Sequence, residues 1–119
     1  DVVLLDVWAT WCGPCVAMIP HHTKLAERLR DEPFTILSVS LDAEQETLEE
    51  FLQETGMPWE HWWVGTDSEL AKTLNIRRYP TIFVLDAQGK IRHKDLRDEQ
   101  LDEAVDALVA ETRAAAQGN

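Results

Sequence analysis

The chain has 119 residues, 45% hydrophobic and 28% charged, with a formal net charge of −11 and two cysteines. That length suits one compact domain, over residues 1–119, with one core. The acidic balance argues against nucleic acid, whose phosphates need a basic surface, and no apolar run approaches the ~20 residues of a membrane-spanning helix. The cysteines share a single C-x-x-C, which is too little for a disulfide scaffold and does not fix the redox compartment.

Residues 2–8 (Val-Val-Leu-Leu-Asp-Val-Trp) are an apolar, β-branched run of strand length. Asp1 leads directly into this strand without a signal peptide, so we expect a domain truncated at its N-terminus, its upstream signal, anchor or further domain absent here. From Pro14 the spacing turns helical, with Val16, Ile19, Leu25 and Leu29 apolar and Lys24, Glu27, Arg28 and Arg30 polar, until Pro33 disfavours helix before it. Residues 34–41 (Phe-Thr-Ile-Leu-Ser-Val-Ser-Leu) predict a second strand, and the βαβ unit so formed is expected to be parallel and right-handed.

Asp42 reads as the N-cap of a further helix, with Gln45 three residues on completing a capping box. Leu48, Phe51 and Leu52 give that helix its apolar stripe, and Gly56-Met57-Pro58 stops it. A dense cluster of Trp59, Trp62 and Trp63 is read as a core wall, with a short strand over 62–64. Residues 66–69 start another helix leading to Leu70, Ala71, Leu74 and Ile76. Residues 80–86 and 90–94 form a hairpin about the turn at 87–89. Asp98 is placed as the cap of a closing helix that buries Leu101, Ala104, Val105 and Leu108, and the tail 114–119 has nothing to pack and is expected to fray.

Trp11-Cys12-Gly13-Pro14-Cys15 sits where the first strand hands over to the first helix. Pro14 suits a first helical turn, which puts Cys12 at a helix N-terminus, where unpaired N–H groups and the macrodipole favour the thiolate. The Gly-Pro pair is read as a tight loop bringing the second sulfur within reach, so the residues point to a redox-active dithiol. Cys12, expected to be the more exposed, attacks, and Cys15 resolves the mixed disulfide. A structural disulfide, two inert core thiols, or a zinc half-site joined by His21 or His22 are the competing readings.

Asp6 lies inside an apolar strand, where a charge is costly and the pKa rises; alternation puts it on one face with Leu4 and Trp8. A solvent-facing strand-edge carboxylate is the alternative. The segment 42–60 is acidic and the segment 77–97 mostly basic, which describes solvated faces or, more pointedly, a basic rim selecting acidic partners. His61 and His93 are read as surface residues.

Trp8-Ala9-Thr10-Trp11-Cys12-Gly13-Pro14-Cys15 resembles the active-site segment of the thioredoxin superfamily. Asp6 matches a buried acid, Pro20 a kinking proline, and Tyr79-Pro80-Thr81 the segment whose cis-proline faces the dithiol. The long separation between Cys15 and Pro80, and the run from Pro80 to Gly89, resemble the extracytoplasmic TlpA/ResA-like branch. The resemblance implies an α/β thioredoxin-like fold, a central mixed β-sheet flanked by helices, with an inserted helix and strand before the cis-proline. It implies a thiol–disulfide oxidoreductase that reduces protein disulfides, with Cys12, Cys15 and Asp6 catalytic and Asp6 accepting the Cys15 proton. Many relatives on that branch carry Asn at the Asp6 position, so an acid is not strictly required there.

Trp11, Gly13, Pro14, Tyr79, Pro80 and Thr81 would form the substrate-binding surface, with no cofactor beyond the redox-active disulfide and no metal. The implied partners are protein thiol or disulfide substrates and an upstream electron donor. The implied setting is extracytoplasmic, periplasmic or membrane-tethered, and the protein a monomer. A peroxiredoxin-type peroxidase is disfavoured by Ala9, where those enzymes carry Thr or Ser three residues before the reactive Cys. A non-catalytic binding or metal-delivery module is the remaining alternative; the two-residue Cys spacing speaks against copper delivery.

Overall fold

Side-chain alternation along the strands decides how the layers form. The computed structural model describes residues 1–117. In chain order these make β1 (Val2–Trp8), α1 (Gly13–Ala17), α2 (Ile19–Arg28), β2 (Phe34–Ser40), α3 (Gln45–Thr55), β3 (Glu60–Trp63), α4 (Glu69–Thr73), β4 (Thr81–Leu85), β5 (Ile91–Lys94) and α5 (Asp98–Gln117). The five strands form one mixed sheet in the order β3-β2-β1-β4-β5. β1, β2 and β3 run parallel, while β4 is antiparallel to β1 and β5 to β4.

On one face, Val2 and Leu4 of β1, Ile36 of β2 and Ile82 and Val84 of β4 pack with Leu25 and Leu29 beside α2 and Leu101, Val105, Leu108 and Val109 of α5. On the other, Val7, Leu41 and Phe83 are covered by Ala71, Leu74 and Ile76 around α4. A third cluster joins Trp8 to the two cysteines, Leu48 and Met57, with Phe51 and Leu52 of α3 against it. α3 and β3 are the expected insertion between the first βαβ unit and the hairpin. α3 ends where Gly56 turns left-handed at φ 62°, a conformation that suits glycine at a helix C-terminus.

Several local expectations need correction. The predicted single helix after the cysteines is two, α1 and α2, meeting at Met18, with Pro20 in the first turn of α2. Asp98 begins α5 at φ 50°. The helix runs on through Gln117 rather than fraying at 114; residues 118 and 119 lie outside the described residues. Trp62 and Trp63 are exposed (53% and 37%) on the edge strand β3, and of the three tryptophans only Trp59 packs into the core.

Asp42 does not cap α3. The N-cap residue is Glu44, without a side-chain hydrogen bond, while Asp42 is buried and turned toward the loop before Cys12. Its carboxylate accepts from the Thr10 N–H at 3.1 Å, the Thr10 hydroxyl at 2.7 Å and the Ser40 hydroxyl at 2.6 Å. The buried acceptor gives three donors one partner. Hydrogen bonds to a charged group contribute about 1.5–3 kcal/mol each, and donors left unsatisfied in the interior are costly. Asp42→Ala is therefore expected to destabilise the fold by about 3 kcal/mol, and Glu44→Ala by less than about 0.5 kcal/mol, in urea unfolding. A capping role for Asp42 would instead give about 1 kcal/mol.

Candidate active site

Cys12 is the N-cap of α1, in extended backbone (φ −87°, ψ 108°), and Cys15 lies one turn inside. The two form a disulfide with their Cα atoms 5.3 Å apart. The i, i+3 spacing of a helical turn brings the sulfurs together; Gly13 and Pro14 are the first residues of the helix and not a separate loop. The Cys15 N–H donates to Cys12 Sγ at 3.2 Å. α1 has five residues, so this one aimed N–H matters more at the sulfur than a summed helix dipole. Both residues are buried, Cys12 at 5% and Cys15 at 4% exposure, so exposure does not set Cys12 apart as expected. The asymmetry between the sulfurs lies in the hydrogen bond.

Trp11, Gly13, Pro14 and Tyr79 near the disulfide are uncharged residues. Trp11 is 67% exposed, and its ring meets Tyr79 edge-on at 5.2 Å. Tyr79 packs on the cluster that contains both cysteines, and the Tyr79–Pro80 peptide bond is cis. Gly13 and Pro14 are exposed, and a Cβ added at Gly13 meets nothing within 4 Å. Pro80 is buried behind them. Thr81 is buried too, its hydroxyl donating to the Arg78 carbonyl at 2.6 Å, so its side chain is not part of the surface. The basic stretch beyond is exposed, and two of its arginines are paired with carboxylates. Arg78 pairs with Asp95 at 3.3 Å, and Arg92 with Asp86 at 3.3 Å and Glu111 at 3.2 Å.

Asp6 is buried on the same face of β1 as Leu4 and Trp8, which excludes a solvent-facing carboxylate. The parallel register sets Ser38 beside it, and the Ser38 hydroxyl donates to Asp6 Oδ2 at 3.1 Å. Trp59 Nε1–H donates to the Ser38 oxygen at 2.9 Å. Burial pushes the Asp6 carboxyl up to about 7, against smaller lowering effects from the Ser38 hydrogen bond and the Arg97 charge. A carboxyl so placed can hold or release a proton near neutrality.

His22 of α2 faces the same interior with 1% exposure, its Nε2 lying 3.7 Å from Asp6 Oδ2. Burial lowers its pKa to about 4, helped by the charge of His21. His21 is instead bonded to Asp102 at 2.8 Å, so the two histidines have different neighbours, and among the described residues no group of three or more metal-ligating side chains gathers. His61 is half-buried, stacked on Trp59 at 5.7 Å, and burial lowers its pKa as well.

Ser38, His22, Trp59 and Asp42 have places around the site that the sequence reading did not give them. For Ser38 the signal was available: two strands read as parallel neighbours bring it beside Asp6. His22 also had one, lying seven residues after Cys15 and three before Leu25, the spacing of an inward helix face. Asp42 and its partner Thr10 keep the same 32-residue offset but lie past the ends of both strands, where strand pairing no longer predicts a neighbour.

The family model described as thioredoxin-like matches residues 1–91. The chain is 26% identical over 106 residues to the thiol-disulfide oxidoreductase ResA of Bacillus thuringiensis, covering 87% of this chain and 59% of that protein. It is 35% identical over 113 residues to a chloroplastic F-type thioredoxin of Mesembryanthemum crystallinum, 95% of this chain and 44% of that one. The chain thus spans only about half the length of these curated relatives. Among solved structures it resembles the thioredoxin domain of a thiol-disulfide oxidoreductase from Bacteroides vulgatus, with a TM-score of 0.84 and 29% identity over 92% of this chain and 79% of that one. A mixed sheet, a disulfide at the corner between its central strand and first helix, and a family model matching most of the chain have one reading: the chain belongs to the thioredoxin-like family.

Proposed function

We propose that this chain is a thiol–disulfide oxidoreductase that reduces disulfides in other proteins through Cys12 and Cys15. The observation that carries the reading is the disulfide at the head of α1, with the Cys15 N–H aimed at Cys12 Sγ. That N–H stabilises negative charge on Cys12, which makes it the attacking thiolate. Cys12 Sγ⁻ attacks a substrate disulfide, one substrate thiolate leaves, and a Cys12–substrate disulfide forms. Cys15 then loses its proton to the Asp6 carboxylate and attacks Cys12 Sγ; the intramolecular disulfide forms and the second substrate thiolate departs. Two electrons pass from the dithiol to the substrate, and an upstream donor must return them.

Trp11, Gly13, Pro14 and Tyr79 form the uncharged surface on which an extended substrate segment rests, with the cis-linked Tyr79–Pro80 backbone as its edge. Residues 1–119 act as one domain and as a monomer. The resemblance to ResA supports an extracytoplasmic setting. The direction of electron flow follows from redox poise: a dithiol potential near or below about −250 mV marks a reductant, and one near −120 mV an oxidant. Equilibration in graded thiol buffers, followed by the fluorescence of Trp8 and Trp11, is expected to give the first value.

Insulin-disulfide reduction tests the roles of the cysteines. Cys12→Ser is expected to fall to the uncatalysed rate, and Cys15→Ser to accumulate a mixed disulfide with substrate that dithiothreitol releases. Full activity in Cys12→Ser would sink the proposal.

Asp6 gives a second test, because its pKa is about 7 in the fold against 3.8 in the unfolded chain. Between those values the folded state keeps a proton that the unfolded state has released, so stability falls as pH rises from about 4 to about 7 and then levels off. Asp6→Asn is expected to lose that slope and to be more stable than the wild type at pH 8 by up to about 4 kcal/mol. It is also expected to slow the resolving step about tenfold to a hundredfold. Urea midpoints across pH and single-turnover kinetics read the two effects separately.

A further inference from the structure

A buried imidazole is left with nothing to do by the two-cysteine chemistry alone. His22 is 1% exposed, and neither ring nitrogen has a hydrogen-bond partner among the described residues. Its Nε2 stands 3.7 Å from Asp6 Oδ2, just beyond hydrogen-bond length, and Trp59 closes the other side with its ring edge-on at 6.1 Å. A hydrophobic side chain would fill this space without the cost of burying two polar atoms. Cys15 and His22 are seven residues apart on the inward side of the α1–α2 pair, about 10 Å along the helix direction, with β1 and Asp6 against them.

We propose that His22 is a positioning residue for the proton of Asp6: its Nε2 takes that proton across the 3.7 Å gap and leaves an ionised carboxylate free to receive the proton of Cys15. This rests on the dithiol reading above. The proton balance is simple. At rest the pair holds one proton, on Asp6. Its transfer to His22 gives carboxylate beside imidazolium with no change of net charge in the core. The Cys15 thiol then gives its proton to the carboxylate as Cys15 Sγ attacks Cys12 Sγ. The pair now holds one proton more than at rest, and releases it to water as the departing substrate thiolate takes one up.

Burial alone favours both groups neutral, with Asp6 raised to about 7 and His22 lowered to about 4. Attraction between opposite charges at this separation is of the same order as that gap, so the two proton arrangements lie close in free energy. The other charged or titratable groups facing the pair are few. Arg97, before α5, favours the carboxylate form of Asp6, and His21, bonded to Asp102 of α5, disfavours imidazolium at His22. His61 of β3 lies behind Trp59 with its own pKa lowered, and Ser38 and Trp59 contribute only hydrogen bonds.

Reduced protein mixed with 5,5′-dithiobis(2-nitrobenzoate) releases one thionitrobenzoate as Cys12 is loaded and a second as Cys15 resolves the mixed disulfide. Stopped-flow absorbance across pH 5–9 separates the two phases. In His22→Gln and His22→Leu the midpoint of the second phase is expected to move about one pH unit alkaline, with about a tenfold loss of rate below it and the first phase unchanged. In Asp6→Asn, adding His22→Gln is expected to change nothing further. An unmoved second-phase midpoint in a folded His22 variant overturns the proposal and leaves the dithiol reading standing. Absence of a second phase in the wild type overturns the dithiol reading and, with it, this one. Should both His22 variants fail to fold, the wild type answers directly through the imidazole ¹⁵N shifts of His22. Partial imidazolium character while the pair holds its single proton, lost as pH rises through the Asp6 midpoint, supports proton sharing, and a ring that is neutral and unresponsive across that range refutes it.

Discussion

A carboxyl group held inside the sheet is the constraint on which the rest of this structure depends. Asp6 sits in β1, the central strand, with β2 on one side and β4 on the other, and is only 5% exposed. The residues on either side of it along that face, Leu4 and Trp8, belong to two different apolar clusters, and Asp6 occupies the seam between them. Ser38, Trp59 and His22 are the polar groups at that seam, and they come from β2, the segment before β3, and α2. A charge placed there without them would be prohibitive. The Ser38 hydrogen bond and the Arg97 charge offset part of the burial, and the group titrates near neutrality.

The corner that carries the disulfide is held from the sheet as well. The Leu41 N–H donates to the Trp8 carbonyl at 2.9 Å, and the Cys12 N–H to the Ala9 carbonyl at 3.1 Å. Between these two bonds the Asp42 carboxylate fixes the backbone of Thr10. Cys12 therefore enters its helix from a direction set by the end of β2, and its sulfur meets the Cys15 N–H without any further adjustment. Beyond the first turn α1 gives way to α2 at Met18, where the Arg97 guanidinium approaches the Met18 sulfur at 3.1 Å. α2 then brings His22 Nε2 to 3.7 Å from Asp6 Oδ2.

The sequence was most legible where chemistry and structure are local. The strand of residues 2–8, the cysteines at a helix start and the hairpin after Pro80 each carry their signal within a few residues, and each is found as expected. Asp6 was legible through alternation alone, because one buried strand face admits no exception. Long-range partners were not legible. Asp42 has the residue type of a helix cap and stands at the right offset from Gln45, yet Thr10 and Ser40 outbid the helix for its oxygens. The tryptophans show the same limit: nothing in their spacing distinguishes Trp59, under α2, from Trp62 on an open sheet edge. The greater exposure expected of Cys12 also failed, since the oxidised pair is covered equally by its neighbours.

The distribution of charge completes the argument. The chain carries a net charge of −11, yet Trp11, Gly13, Pro14 and Tyr79 around the disulfide carry none, and Arg78 and Arg92 beyond them already have carboxylate partners. The exposed Arg77 and Arg78 directly precede Tyr79, while at the four uncharged residues themselves a partner meets aromatic edges and backbone. Such a surface discriminates by shape and by the access it allows to the sulfur, because uncharged contacts steer little at a distance. The titratable Asp6 and His22 are buried one layer below. On the function proposed above, selection of the partner and control of the proton would fall to different layers of one structure: one outside the Cys12–Cys15 bond, the other behind it.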